Sequence, residues 1–351
     1  PTVDFAVLET ARGGLLRSGL GFRQCDISVI TNVQEDHLGI SDIHNLDDLR
    51  RVKEVIVGAT KKTGWTVLNA DNIHCVKIGK NADCNVAYFS MDEHSKVIKE
   101  HCKKGGIACI YENLFVTIKK GDWKIRVQKV GSIPITFGGT VPFMIQNVLA
   151  ATLASFVWGF KTEDIKIALE TFIPSPTQTP GRMNVFAFKE FKVMVDFAHN
   201  PDGYRGIRDF LNTLDSPFKI GIIAGTGDRR DEDIVELGSI AAEMFDHIIL
   251  RQEKHLRGRT AENIIGLLTQ GINSVDKKVT YEAIPKEVDA IKHAIGMALP
   301  GTYIVALSDV IDNAIDIVQR SHLGRQPSWL PLWLKKLAVL FVLLYMQHFL
   351  E

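Results

Sequence analysis

The chain has 351 residues, 46% of them hydrophobic and 23% charged, which is ordinary for a globular protein with room for one large domain or two. Lys plus Arg number 41 and Asp plus Glu number 41, so no bulk field selects nucleic acid or acidic lipid as a partner. The five cysteines are odd in number and form no CxxC pair, so they read as reduced, mostly buried thiols of a cytoplasmic protein rather than a disulfide or metal framework.

Residue 1 is Pro, and Val3–Leu8 already reads as a buried strand, with no basic or signal-like segment before it. The chain is therefore expected to begin inside a domain. A second short strand falls at Ile27–Thr31. From Asn45 to Val57 the apolar residues Leu46, Leu49, Val52, Val55 and Ile56 share one helical face, with Asp42 or Asn45 as the cap. Trp65–Asn69 is another strand. Ile107–Val130 alternates as an antiparallel ribbon beside the main sheet. Helices follow at Phe143–Val157 and Thr162–Phe172. Three prolines and a glycine between Pro174 and Gly181 break the pattern and mark a domain boundary.

Beyond it, strands at Lys192–Phe197, Lys219–Ala224, His247–Leu250, Lys278–Tyr281 and Thr302–Leu307 alternate with helical stretches. That spacing predicts a parallel, Rossmann-like second domain. The tail differs. Leu337–Met346 is an apolar run flanked by Trp329, Trp333, Lys335 and Lys336, too short to span a membrane comfortably. It reads as a docked helix in preference to a membrane contact.

Several strands end in polar groups, as strands bordering a ligand crevice do. Glu9 and His37 follow the first two and are suited to a hard divalent ion; the same pair also reads as a Glu9–Arg12 ion pair and a helix cap. Lys53 sits among Val52, Val55 and Ile56, either snorkelling to solvent or pointing into a cleft. Arg182 at the domain junction can reach a phosphate or lie on the surface. Asp196, His199 and Asn200 end a strand whose chain then enters a Pro-initiated helix. Gly225–Asp231, with Asp228, Arg229 and Arg230, suits an anion through its arginines and a ribose or amine through its carboxylates. No GxxxxGK[ST] phosphate loop occurs in the chain.

Glu9–Gly19 (ETARGGLLRSG), Thr31–Gly39 (TNVQEDHLG), Leu68–Asp71 (LNAD), Thr179–Met183 (TPGRM), Asp196–Pro201 (DFAHNP) and Gly227–Asp231 (GDRRD) together resemble the Mur ligase superfamily, and within it the cyanophycin synthetase family. The likeness runs from residue 1 to about 320. It implies an α/β architecture: a Mur-ligase central, ATP-binding domain over 1–178, a Rossmann-like C-terminal domain over 179–322, and an apolar tail over 323–351. It also implies ATP-dependent amide formation through an acyl-phosphate, adding arginine to aspartate side chains of a poly-aspartate backbone in a homo-oligomer. Another Mur-type amino-acid ligase, or a non-catalytic remnant serving as a binding or assembly subunit, stays open. The resemblance implies ATP and Mg2+, with Glu9 and His37 as metal ligands and Lys53 and His199 in catalysis. Asn147, Arg182, Asp196 and Asn200 would contact ATP, and Asp228, Arg229 and Arg230 the substrate. The missing phosphate loop and an ATP-grasp half are expected to precede residue 1.

Overall fold

The computed structural model describes residue 3 and residues 5–34 and 43–324; the expectations for His37 and for the tail from residue 325 onward lie outside the described residues. The first half carries α1 (Arg12–Ser18), β1 (Cys25–Ile30), α2 (Leu46–Gly58), β2 (Thr60–Asn69), α3 (Ile73–Lys80), β3 (Asn85–Ser90), α4 (Lys96–Lys103), β4 (Ile107–Glu112), β5 (Phe115–Lys120), β6 (Trp123–Lys129), α5 (Pro142–Trp158) and α6 (Thr162–Thr171). The second carries β7 (Asn184–Ala187), β8 (Lys192–Asp196), α7 (Pro201–Leu211), β9 (Lys219–Ile223), α8 (Asp231–Met244), β10 (His247–Leu250), α9 (Ala261–Asn273), β11 (Thr280–Ala283), α10 (Glu287–Met297), β12 (Tyr303–Leu307) and α11 (Ile311–Gly324). Residues 172–183 between them form neither helix nor strand.

Each half builds a six-stranded sheet. In the first, β1 to β4 run parallel in chain order, β5 adds antiparallel to β4 and β6 antiparallel to β5. The expected ribbon is thus a continuation of the main sheet rather than a structure beside it, because β4 is also the parallel partner of β3. One face buries Ile30, Leu68 and Tyr88 with Leu49, Ile78 and Ile98 from α2, α3 and α4. The other buries Val67, Phe89 and Ile118 under Ile145, Leu149 and Leu153 of α5. Each such aliphatic side chain is worth about 2 kcal/mol of transfer free energy, which explains why a helix apolar on most of its surface settles there. Asn45 caps α2 by accepting the amide of Asp48 at 3.0 Å.

The expected strand at Val3–Leu8 does not form. Residues 5–8 have no regular structure, and Val7 is 85% exposed. Among the described residues no strand lies beside this run to receive its amides and carbonyls, and a strand without a partner is not stable.

In the second half the order is β11-β10-β9-β12-β8-β7, parallel except for β7. β10 and β12 are buried at every residue, as strands covered on both faces must be. Helices α7, α8 and α9 cover one face and α10 and α11 the other. The two halves touch through the start of α5. Val141 and Met144 join the core under α7, and Phe137 meets Phe210 with ring centroids 5.4 Å apart. Gly206 makes this approach possible, since a Cβ there would lie 2.9 Å from the Phe143 ring.

Candidate active site at the carboxyl ends of the strands

β9 sends its chain into α8 on one face, whereas its neighbour β12 sends its chain into α11 on the other. Adjacent strands that part in this way leave a crevice at their carboxyl ends. β8, ending at Asp196, is the next strand over from β12.

Asp196 is 6% exposed, and both carboxylate oxygens accept backbone amides: Oδ2 from Met183 at 2.8 Å and Oδ1 from Ala198 at 2.7 Å. Burial raises its pKa, and those two amides, with Arg182 and His199 nearby, pull it back. Its oxygens are therefore spent on shaping the loop. Met183 sits at φ 49°, a left-handed backbone that the Asp196 bond helps to hold. Arg182, next to that kink, is exposed. Its guanidinium lies 5.0 Å from the Phe197 ring centre and donates to the Gly181 carbonyl, leaving other N–H groups open. His199 packs edge-on against Phe197 and engages the Phe197 carbonyl through Nδ1 at 3.0 Å. Asn200 is the N-cap of α7, accepting the Gly203 amide at 2.8 Å, and Pro201 opens the helix as the sequence suggested.

The Gly227–Asp231 turn follows β9. Asp228 pairs with Arg229 at 3.2 Å and with Arg257 at 2.6 Å, and Arg230 pairs with Asp233 at 2.7 Å. Arg229 is buried. Arg259 donates to the Gly227 and Arg229 carbonyls at 3.0 and 2.8 Å. Gly227 is pressed against the neighbouring loop so closely that a Cβ would lie 2.0 Å from the Leu256 carbonyl oxygen. This turn is a braced platform, its charges largely tied to one another.

The sequence reading missed the groups between these loops. Arg251, just past β10, is 3% exposed; it donates through Nε and Nη2 to the Leu307 carbonyl and pairs through Nη1 with Asp309 at 2.7 Å. Glu253, 6% exposed, accepts the Thr226 hydroxyl at 2.9 Å. Glu287 accepts the Ser308 hydroxyl. Burial raises the pKa of both Glu253 and Glu287. The segment Arg251-Gln-Glu-Lys-His255 looks like a solvated loop in the sequence; only its position after a buried strand hinted otherwise.

At the carboxyl end of the first sheet, three side chains hold the loop after β1 by its carbonyls. Asn69 donates to Thr31 at 2.9 Å, Lys53 to Asn32 at 2.8 Å and Asn72 to Val33 at 3.0 Å. Lys53 thus points at the strand end instead of snorkelling. Glu9 is exposed, in the irregular segment before α1. Asn147 is exposed on α5, with a long contact to Met144. No group of three or more His, Cys, Asp or Glu suited to a metal occurs among the described residues.

Comparison with known proteins places this architecture. Residues 1–155 match the Mur ligase middle domain and residues 181–309 the Mur ligase, glutamate ligase domain. The chain is similar to the cyanophycin synthetase of Trichormus variabilis, 44% identical over 326 residues, which covers 93% of this chain and 36% of that protein. It therefore spans just over a third of that relative's length. Its fold is similar to that of E. coli FolC solved with ADP and without folate substrate, with a TM-score of 0.62 at 15% identity over 85% of this chain and 63% of the other. A pseudomurein peptide ligase type C from Methanothermus fervidus superposes with a TM-score of 0.59 at 18% identity, over 84% of this chain and 63% of the other. Two successive Mur ligase domains and a relative matched along nearly the whole chain lead to one conclusion: the chain belongs to the Mur ligase family.

Proposed function

We propose that the chain carries the amide-forming part of an ATP-dependent ligase, joining arginine to aspartate side-chain carboxylates of a poly-aspartate backbone. Family membership and likeness to cyanophycin synthetase support the reaction class. The observation that carries the reading is Arg182, exposed just ahead of β7 beside the end of β8 and braced on Phe197 with donors left open. A guanidinium fixed in this way suits a phosphate. ATP would supply its γ-phosphoryl group to the carboxylate, leaving ADP, and the incoming amine would then attack the acyl carbon of the acyl-phosphate and release phosphate.

On this reading Arg182 receives phosphate oxygens, and Asp196 acts through it by fixing the kink at Met183. Asn147, Asn200 and His199 lie on the nucleotide and amine side; the Asn200 side-chain NH2 remains available while its oxygen caps α7. Asp228, Arg229 and Arg230 form the braced turn facing the substrate. Glu9, exposed and without a described side-chain partner, would hold Mg2+ with His37. Lys53 fixes the loop after β1 that leads towards His37. We place the domain boundary at 178/179, within the irregular segment. A reducing compartment agrees with all five cysteines being free thiols. No helix among the described residues is long and apolar enough to cross a membrane.

The test is phosphate release by the complete gene product with ATP, an aspartate polymer and arginine. Arg182→Ala is expected to cut arginine-dependent release by about 100-fold. Unchanged release in the variant would remove Arg182 from the phosphate site. Preference for a different amine or carboxylate would assign the chain to another Mur-type reaction.

A further inference from the structure

The crevice between β9 and β12 gathers several buried charged groups. Arg251 is its buried guanidinium, committed to the Leu307 carbonyl and Asp309, with Glu287 3.8 Å away. The neighbouring Arg257 is committed to Asp228. Three carboxylates, Glu253, Glu287 and Asp309, gather near these two guanidinium groups, but among the described residues only Glu287 and Asp309 come within ion-pair distance of Arg251. Glu253 is the least satisfied of them. One oxygen takes the Thr226 hydroxyl, and the other meets no donor among the described residues, although the residue is only 6% exposed. Burial and the charge on Asp309 raise the Glu253 pKa, while the Thr226 hydroxyl and, from farther off, Arg251 and Arg257 lower it. Asp309 is itself left incomplete: its Oδ1 sits beside Arg251 without hydrogen-bond geometry.

A nearly buried carboxylate held in no ion pair weakens a fold. Glu253 gives no compensating structural return beyond one hydroxyl contact, since an amide side chain could accept the same bond. A cationic ligand group entering the crevice would complete both Glu253 and Asp309. A guanidinium fits better than an ammonium, because its planar fork serves two carboxylates at once. The position is right for an acceptor amino acid, beside the Gly227–Asp231 turn and one strand over from β8, whose carboxyl end leads to His199 and borders Arg182 ahead of β7.

We infer that Glu253, together with Asp309, receives the cationic side chain of the incoming amino acid and selects arginine over neutral amino acids of the same length. This rests on the amide-ligase reading proposed above. A carboxylate built to bind a cation rejects a neutral isostere because the neutral ligand leaves the buried charge unpaired.

The complete gene product is assayed for phosphate release with arginine and with citrulline, whose ureido group has nearly the shape of guanidinium but no charge. Glu253→Gln is expected to raise KM for arginine by about 100-fold and KM for citrulline by no more than about threefold, collapsing the discrimination. Asp309→Asn is expected to do the same to a smaller extent, and Glu253→Asp to restore part of the preference. Thermal melts of each variant establish that it is folded, and calorimetric titration with arginine gives the same ranking without turnover. Unaltered discrimination in folded Glu253→Gln, with wild-type protein using arginine, overturns this inference and leaves the ligase reading standing. Wild-type protein that accepts an amine but gives no preference to cationic amino acids overturns it as well. Wild-type protein that releases phosphate with no amine at all overturns the ligase reading itself.

Discussion

The carboxylate of Asp196 accepts the backbone amide of Met183 at 2.8 Å, tying the end of β8 to a kink thirteen positions earlier in the chain. The second oxygen holds the Ala198 amide at 2.7 Å, so one buried side chain fixes both walls of the turn that presents Arg182 and His199. Replacing it with Ala leaves two amides without their acceptor. Asp196→Ala is expected to lower the unfolding free energy by about 2–4 kcal/mol, with Asp196→Asn smaller because it keeps one acceptor oxygen. Urea denaturation measures both; an unchanged midpoint for the Ala variant would contradict the assignment.

Lys53 is expected to matter more for activity than for stability. Its bond to the Asn32 carbonyl is one of three that hold the loop after β1, and Asn69 and Asn72 keep the other two. Lys53→Met should cost about 1 kcal/mol in stability and reduce ATP turnover by tenfold or more, on the order of 1.4 kcal/mol in the barrier. Parallel melts and turnover assays separate the two effects; full activity in a folded variant would leave Lys53 with a purely structural part.

Glu253 makes the stability depend on pH in a direction opposite to that of a salt-bridged acid. Burial lifts its carboxyl above the ordinary 4.5, Thr226 pulls it down, and Asp309 pushes it up again. A raised folded pKa means the fold holds the proton more tightly than the unfolded chain. Its stabilising contribution is complete below the unfolded value and is lost as pH rises through the folded one. Glu253→Gln carries no such proton. Its Tm relative to wild type is therefore expected to increase as pH rises above the ordinary 4.5. A difference that falls over this range would reverse the sign of the argument.

The junction between the halves offers a steric test. A Cβ at Gly206 would lie 2.9 Å from the Phe143 ring, which is the first turn of α5 meeting α7. Gly206→Ala should be tolerated with a small shift of the ring, whereas Gly206→Val should push the two helices apart. The Val variant is expected to split a single thermal transition into two, seen by calorimetry. A single unshifted transition would show that this contact does not couple the halves.

Much of the second half could be read from sequence because its strands are short, continuous apolar runs between amphipathic helices. β10 falls at His247–Leu250 as expected, and β12 starts one residue late. The first half was harder. β3 and its flanking helices α3 and α4 went unread, since Asn85–Ser90 is short and carries no turn signal as plain as Pro174–Gly181. Val3–Leu8 has the composition of a strand but no strand beside it, and composition does not report partners. At the site, the sequence singled out Asp196 from its place at a strand end, but not its engagement with Met183, which depends on the kinked backbone. Glu253 was invisible for a related reason. Thr226, Glu253 and Asp309 are far apart in the chain and converge only because β12 inserts beside β9.

The central claim is an amide ligation that passes through an acyl-phosphate. The most direct measurement labels the side-chain carboxylates of an aspartate polymer with heavy oxygen and follows the label during turnover of the complete gene product with ATP and arginine. The account predicts arginine-dependent phosphate release, with one labelled oxygen carried from the carboxylate into each phosphate. Phosphate released without label, or at the same rate without arginine, would contradict it.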